Sequence, residues 1–140
     1  MKLGSLASAR SAYYDRNATS VFQSYLATVG PHAGTQRWSY TVASGKKLQL
    51  EIAGTRIYRI TAAAPVSWTQ ADISIVSGAT TAILSEKYVF DNSLTVVYDD
   101  IRAMAVTVYA SESIAANTID VGTGGSVQYW LSAKGTLYDA

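Results

Sequence analysis

Apolar residues fall at alternate positions along most of this chain. In YTVASGKKLQLEIAG (40–54), Leu48, Leu50 and Ile52 point one way and Lys47, Gln49 and Glu51 the other. Period two marks a half-buried β-strand, because successive side chains leave opposite faces of a sheet. The same texture recurs. TSVFQSYLATV (19–29) is rich in β-branched and aromatic residues and ends at Gly30-Pro31. GTQRWSYTV (34–42) sets Trp38, Tyr40 and Val42 on one face. Residues 46–62 make a long strand with a bulge or bend expected at Gly54. In VSWTQADISIV (66–76) the apolar parity changes between Gln70 and Asp72, as at a bulge or a crossing between sheets.

TTAILSEKYVF (80–90), LTVVY (94–98), RAMAVTVYA (102–110), NTIDV (117–121) and SVQYWLSA (126–133) complete the series. Between them stand turn signals: Ala43-Ser44-Gly45, Ser77-Gly78, Asp91-Asn92-Ser93, Asp99-Asp100 and the glycine run 122–125, with Pro65 and Gly135 as breakers. Residues 1–18 carry no sustained period and read as an N-terminal arm, ordered only by docking. The pattern thus gives about nine strands at spacings of roughly 8–15 residues, and no helix. It predicts an all-β, two-sheet antiparallel sandwich over 19–140. A single jelly roll of about eight strands plus one N-terminal strand fits best. An immunoglobulin-like sandwich is the alternative, without its Cys-Trp-Cys framework.

Composition narrows the function. With 15% charged residues against a usual level of roughly 25%, a net charge of +1 and no basic run beyond Lys46-Lys47, the chain lacks a nucleic-acid footprint. No segment nears 18 apolar residues, so no membrane span is expected, and the first residues lack the apolar run of a secretory signal. Ten tyrosines and three tryptophans make a heavy aromatic load. Two readings of it stand side by side: faces covered by other subunits, or ordinary cross-strand pairing.

Candidate chemistry is sparse. The only histidine, His32, sits in GPHAG and reads as a loop residue; with no cysteine, a transition-metal centre has too few ligands. Asp99-Asp100 reads as a solvated turn rather than a cation site. Gly122-Thr123-Gly124-Gly125 precedes a strand, not the helix that a phosphate cradle needs. No catalytic, metal or cofactor-binding residue is therefore expected. Trp38 and Tyr40 share a parity that favours the core, whereas Trp130 opposes Val127, Tyr129 and Leu131 and should look outward as an interface anchor. Tyr13, Tyr14 and Arg16 of the arm and Tyr138 near the end join it as contact candidates.

Two stretches resemble small jelly-roll structural proteins of phage and virus particles. YTVASGKKLQLE is similar to their T-V-P-x-G-K opening, and IAANTIDVGTGGSVQYWLSAKGT to their T-I…G-G…Y-x-L-S-x-x-G-T ending, with YYDRN ahead as the arm. The likeness covers about 35–138. Ala43 replaces a common proline, and Asn117 stands where a Gly-Asp pair would be. The resemblance implies a non-enzymatic virion subunit without cofactor. It would be a capsid decoration (cement) or minor capsid protein, commonly trimeric, on the capsid surface and bound to sibling subunits or the major capsid protein. The other expectation is a carbohydrate-binding module or receptor-binding head, with Trp130 and nearby tyrosines lining an open groove.

Overall fold

In the computed structural model, residues 18–61, 68–89, 97–122 and 125–140 are described. They form eight strands: β1 (Thr19–Val29), β2 (His32–Thr41), β3 (Lys46–Thr61), β4 (Trp68–Ser77), β5 (Thr80–Val89), β6 (Val97–Tyr109), β7 (Ser113–Val121) and β8 (Ser126–Asp139). Two four-stranded sheets result, ordered β1-β8-β3-β6 and β2-β7-β4-β5, with every pairing antiparallel. Only the β4–β5 hairpin stays within one sheet; every other connection crosses to the opposite one. This wrapping is a jelly roll.

The core is the slab between the sheets. Leu48, Leu50 and Ile57 of β3 and Val127, Tyr129 and Leu131 of β8 face Ala71 and Ile73 of β4 and Ile114 and Ala116 of β7, all fully buried. Each aliphatic side chain of this size contributes about 1.5–3 kcal/mol when removed from water. Trp38 and Tyr40 pack half-buried against this cluster.

Several local expectations need correction. The strands number eight among the described residues, because the Asp99-Asp100 pair lies inside β6 rather than in a turn. There the two carboxylates face opposite sides: Asp99 is exposed beside Arg56, while Asp100 turns toward Ser85 of the other sheet. Gly135 does not end β8, which runs on to Asp139. In β3 the register shifts lie between Leu50 and Ile52 and, against β8, between Arg59 and Thr61, whereas Gly54 is in regular register with Ser132 and Ile101. Ile52 consequently points outward, not with Leu48 and Leu50. In β4 the inward positions are Thr69, Ala71 and Ile73; the register shift comes after Ile73, and Trp68 lies off the core face. His32 begins β2 instead of sitting in a loop. The arm with its N-terminal strand, Pro65 and the turn at Asp91-Asn92-Ser93 lie outside the described residues.

Candidate functional site

The outer face of the β1-β8-β3-β6 sheet carries the feature that calls for a function. Register aligns its outward residues in rows across the four strands. Leu26, Trp130, Arg56 and Asp99 form one; Ser24, Ser132, Gly54 and Ile101 the next; Phe22, Lys134, Ile52 and Ala103 the third. The middle row is small at Ser24, Ser132 and Gly54, and its neighbours are large, so the face sinks into a groove. Its volume is about 200 Å³, lined by Phe22, Ile52, Ile101 and Trp130 over Gly54 and Ser132, with Arg56 and Lys134 at its ends. Ile101 leans over Gly54, where an added Cβ would sit 3.2 Å from its Cγ1.

These walls are unusually open for large apolar groups. Leu26 is 64% exposed, Phe22 61%, Ile101 48%, Ile52 39% and Trp130 37%. Isolated exposed leucines are ordinary, but a contiguous set on one face marks a contact surface. The Arg56 guanidinium lies over the Trp130 ring, 4.9 Å from its centroid, and also meets Asp99 at 3.5 Å. Arg56 thereby holds the indole in place. Lys134 has no ion partner among the described residues.

Trp130 thus stands in the groove, on the outward face. Tyr138 shares its parity on β8 but lies eight residues along the strand, opposite Lys47 and away from the groove. Tyr13, Tyr14 and Arg16 lie outside the described residues. Alternation along single strands does not group Phe22, Ile52, Ile101 and Lys134 on one face. For β1 a signal existed: Val21, Phe22, Tyr25 and Leu26 place apolar residues on both parities, as a strand buried on both sides would. For Ile52 there was none, because its direction depends on the bulge.

A second polar cluster is internal. Arg59 Nη2 donates to Thr69 Oγ1 at 3.1 Å, and Thr69 Oγ1 donates to Asp120 Oδ1 at 2.9 Å, all three buried. Nearby, Arg37 Nε donates to Thr118 Oγ1 at 2.8 Å. His32 Nδ1 lies 2.9 Å from the Gly30 carbonyl, and its Nε2 lies 2.8 Å from the Thr118 hydroxyl. A carbonyl only accepts, so Nδ1 carries the proton and Nε2 accepts from Thr118. Nε2 thus ties β2 to β7, while Nδ1 fixes the ring to the turn between β1 and β2. Burial, and then the Asp120 charge, push the Tyr129 hydroxyl well above its ordinary pKa. Among the described residues, no three His, Cys, Asp or Glu side chains gather to hold a metal ion, and no helix is long and apolar enough to cross a membrane.

No family model matches the sequence, and no curated protein matches it. Among solved structures, the chain is similar to the VP2 subviral particle of infectious bursal disease virus (TM-score 0.46, 13% identity, covering 90% of this chain and 33% of that one). It is also similar to the Gt strain of that virus (0.40, 15%, 90% and 34%). A third is Eiger TNF from S. frugiperda (0.40, 12%, 88% and 91%). The chain spans about a third of the length of the viral structures it matches. With TM-scores below 0.5, these overlaps carry no argument about what the chain binds.

Proposed function

We propose that the chain is a virion structural protein, a jelly-roll subunit that works by self-association and by binding other capsid subunits on the particle surface, as a decoration (cement) or minor capsid protein. One observation carries this reading: the exposed apolar groove across the β1-β8-β3-β6 face. Covering such a face releases about 25 cal/mol for each Å² of apolar surface, and repetition over a lattice multiplies modest contacts. The sequence resemblance points the same way. The mechanism is mechanical: the sandwich is a rigid block, residues 1–17 reach onto a neighbour, and no bond is made or broken.

The glycan-binding alternative expects tyrosines around Trp130. Among the described residues the groove has Trp130 but no tyrosine in its lining; its other walls are aliphatic or phenyl, and its polar groups are confined to Thr55, Ser132, Arg56 and Lys134. Its volume also falls below the ~300–1,000 Å³ usual for small-molecule sites.

Light scattering of the purified chain tests the proposal. A stable oligomer, a trimer by expectation, should form with residues 1–17 present and be lost without them, while circular dichroism remains that of a β-sandwich. A monomer at every concentration would overturn self-association, and tryptophan fluorescence that titrates with sugars would favour the glycan reading.

A further inference from the structure

We propose that the groove on the β1-β8-β3-β6 face of one copy receives the Tyr13–Tyr14 stretch of a second copy. This rests on the assembly role proposed above and names the surface through which it works.

Three features argue for that occupant. The first is chemistry. The groove is apolar, walled by Phe22, Ile52, Ile101 and Trp130, and about 200 Å³ in volume, the scale of a side chain rather than of a free ligand. Tyrosine suits such a wall, since its ring is apolar and its hydroxyl stays wet at the rim. The second is charge. Lys134 marks one end of the groove without an ion partner among the described residues, and the Tyr pair is followed directly by Asp15. In an extended segment Tyr13 and Asp15 would point the same way, about 7 Å apart. A Tyr13 ring in the groove would then bring the Asp15 carboxylate within reach of the long Lys134 side chain.

The third is reach, and it decides between the chain's own groove and a neighbour's. The arm joins the fold at Ala18, directly before β1, which itself forms one wall of the groove. Trp130 stands opposite Leu26, eight residues along β1 from Ala18, hence about 26 Å away. Tyr14 lies four steps along the chain from Ala18, at most about 14 Å when extended. Returning over its own sheet requires a reversal that uses at least two of them, leaving about 7 Å of travel. The backbone at Tyr14 can therefore return only to about Ser20 of its own β1, short of Phe22 and of the Trp130 end. From a second copy no such tether applies. Because the arm and the groove are different patches, the contact is head to tail, and it closes into a ring when the rotation between subunits permits.

Complementation between two full-length variants tests this. Tyr13→Ala/Tyr14→Ala keeps the groove and removes the anchor. Ile101→Glu keeps the anchor and places a charge in the groove, at a half-exposed position outside the buried core. Each alone should be monomeric by light scattering under conditions where the parent chain is oligomeric. Mixed, they should form a 1:1 dimer and stop there, because one partner has the only working groove and the other the only working arm. Phe22→Glu, also an exposed wall position, substitutes for Ile101→Glu should that variant lose its β-sandwich circular dichroism. Oligomers that survive both substitutions would overturn the groove contact while leaving the assembly role standing. Two monomeric variants that fail to combine would overturn docking in trans. A parent chain that is monomeric at every concentration would overturn the assembly role itself.

Discussion

The two outer faces of the sandwich differ in what they gather at their centres, although β2-β7-β4-β5 also exposes Ile83, Tyr88 and Val121. On β2-β7-β4-β5, Asn117 Nδ2 donates to Asp72 Oδ1 at 3.1 Å and Gln70 Nε2 to Glu86 Oε1 at 3.2 Å. The Trp68 and Tyr88 rings lie with centroids 5.9 Å apart at one end. On β1-β8-β3-β6 the corresponding ground is Phe22, Leu26, Ile52, Ile101 and Trp130 around a groove. Both faces belong to strands that bury their other side in the same core, so the demands of folding do not explain the difference. Polar side chains that satisfy one another have little to gain from a partner, whereas apolar ones gain for every Å² covered. Under the proposed function, the contrast makes the β1-β8-β3-β6 face the contact surface.

The sharpest way to break the contrast is to attack the bulge that makes the adhesive face. Gly135 pairs with Leu50 at the point where β3 takes in its extra residue and Ile52 turns outward. A Cβ at Gly135 would lie 2.5 Å from the Gln49 carbonyl oxygen, a backbone atom that cannot swing aside. Gly135→Ala should cost about 3 kcal/mol, the upper part of the usual overpacking range. Urea unfolding should show a lower midpoint at unchanged slope. An unchanged midpoint would mean that the bulge, and with it the outward Ile52, does not depend on this close approach.

A smaller effect lies where the two sheets meet at one edge. Asp100 of β6 accepts from Arg102 Nε at 2.9 Å, from the Glu86 N–H at 3.0 Å and from the Ser85 hydroxyl at 3.2 Å. Partial burial pushes its pKa up, but the bonds from Arg102, Glu86 and Ser85 outweigh burial and hold it below the ordinary carboxylate value. A depressed carboxyl stabilises the fold above its unfolded pKa, near 3.9, and loses that contribution as pH falls through the lower folded value. Asp100→Asn should therefore cost about 1 kcal/mol at pH 7. The gap from the parent should narrow as denaturation is repeated from pH 5 down to pH 2.5. A gap that stays constant across that range would sever stability from the Asp100 charge.

How much of this was legible from sequence follows from what period two can encode. Alternation alone set the inward side of β8, with Val127, Tyr129 and Leu131 in the core and Trp130 outside. β-Branched and aromatic content with the Gly30-Pro31 breaker located β1 at Thr19–Val29, and the recurrence of such segments established the sandwich. Alternation failed wherever an inserted residue reverses the parity, as at Glu51 before Ile52, since a bulge is decided by what lies on the neighbouring strand. It failed again at Asp99-Asp100, where turn-like residues sit inside a strand whose two faces each have a use for a carboxylate. The buried Arg59–Thr69–Asp120 chain was invisible for a similar reason: its members are 51 residues apart between Thr69 and Asp120 and meet only after the sheets stack. The groove is a property of three aligned rows, and one strand shows only a quarter of each.

The smallest expected effect sharpens the contrast from its polar side. Asp72 faces Glu86 across the β4–β5 pair and Asn117 across β4–β7. Its burial raises the carboxyl pKa above the ordinary value, only partly offset by the hydrogen bond from Asn117. A raised carboxyl works in the opposite sense to Asp100. The folded state holds that proton more tightly than the unfolded chain, so this group favours folding more as pH falls through its folded pKa. At neutral pH its charge is a small liability. Asp72→Asn removes the charge and leaves an oxygen able to accept from Asn117. Stability at pH 7 should rise by a few tenths of a kcal/mol, within the usual range for surface substitutions, and the gain should vanish toward pH 3. The oligomer seen by light scattering should be untouched. Dissociation by this near-neutral change would place the subunit contact on the polar face, and the division of labour between the two sheets would have to be reversed.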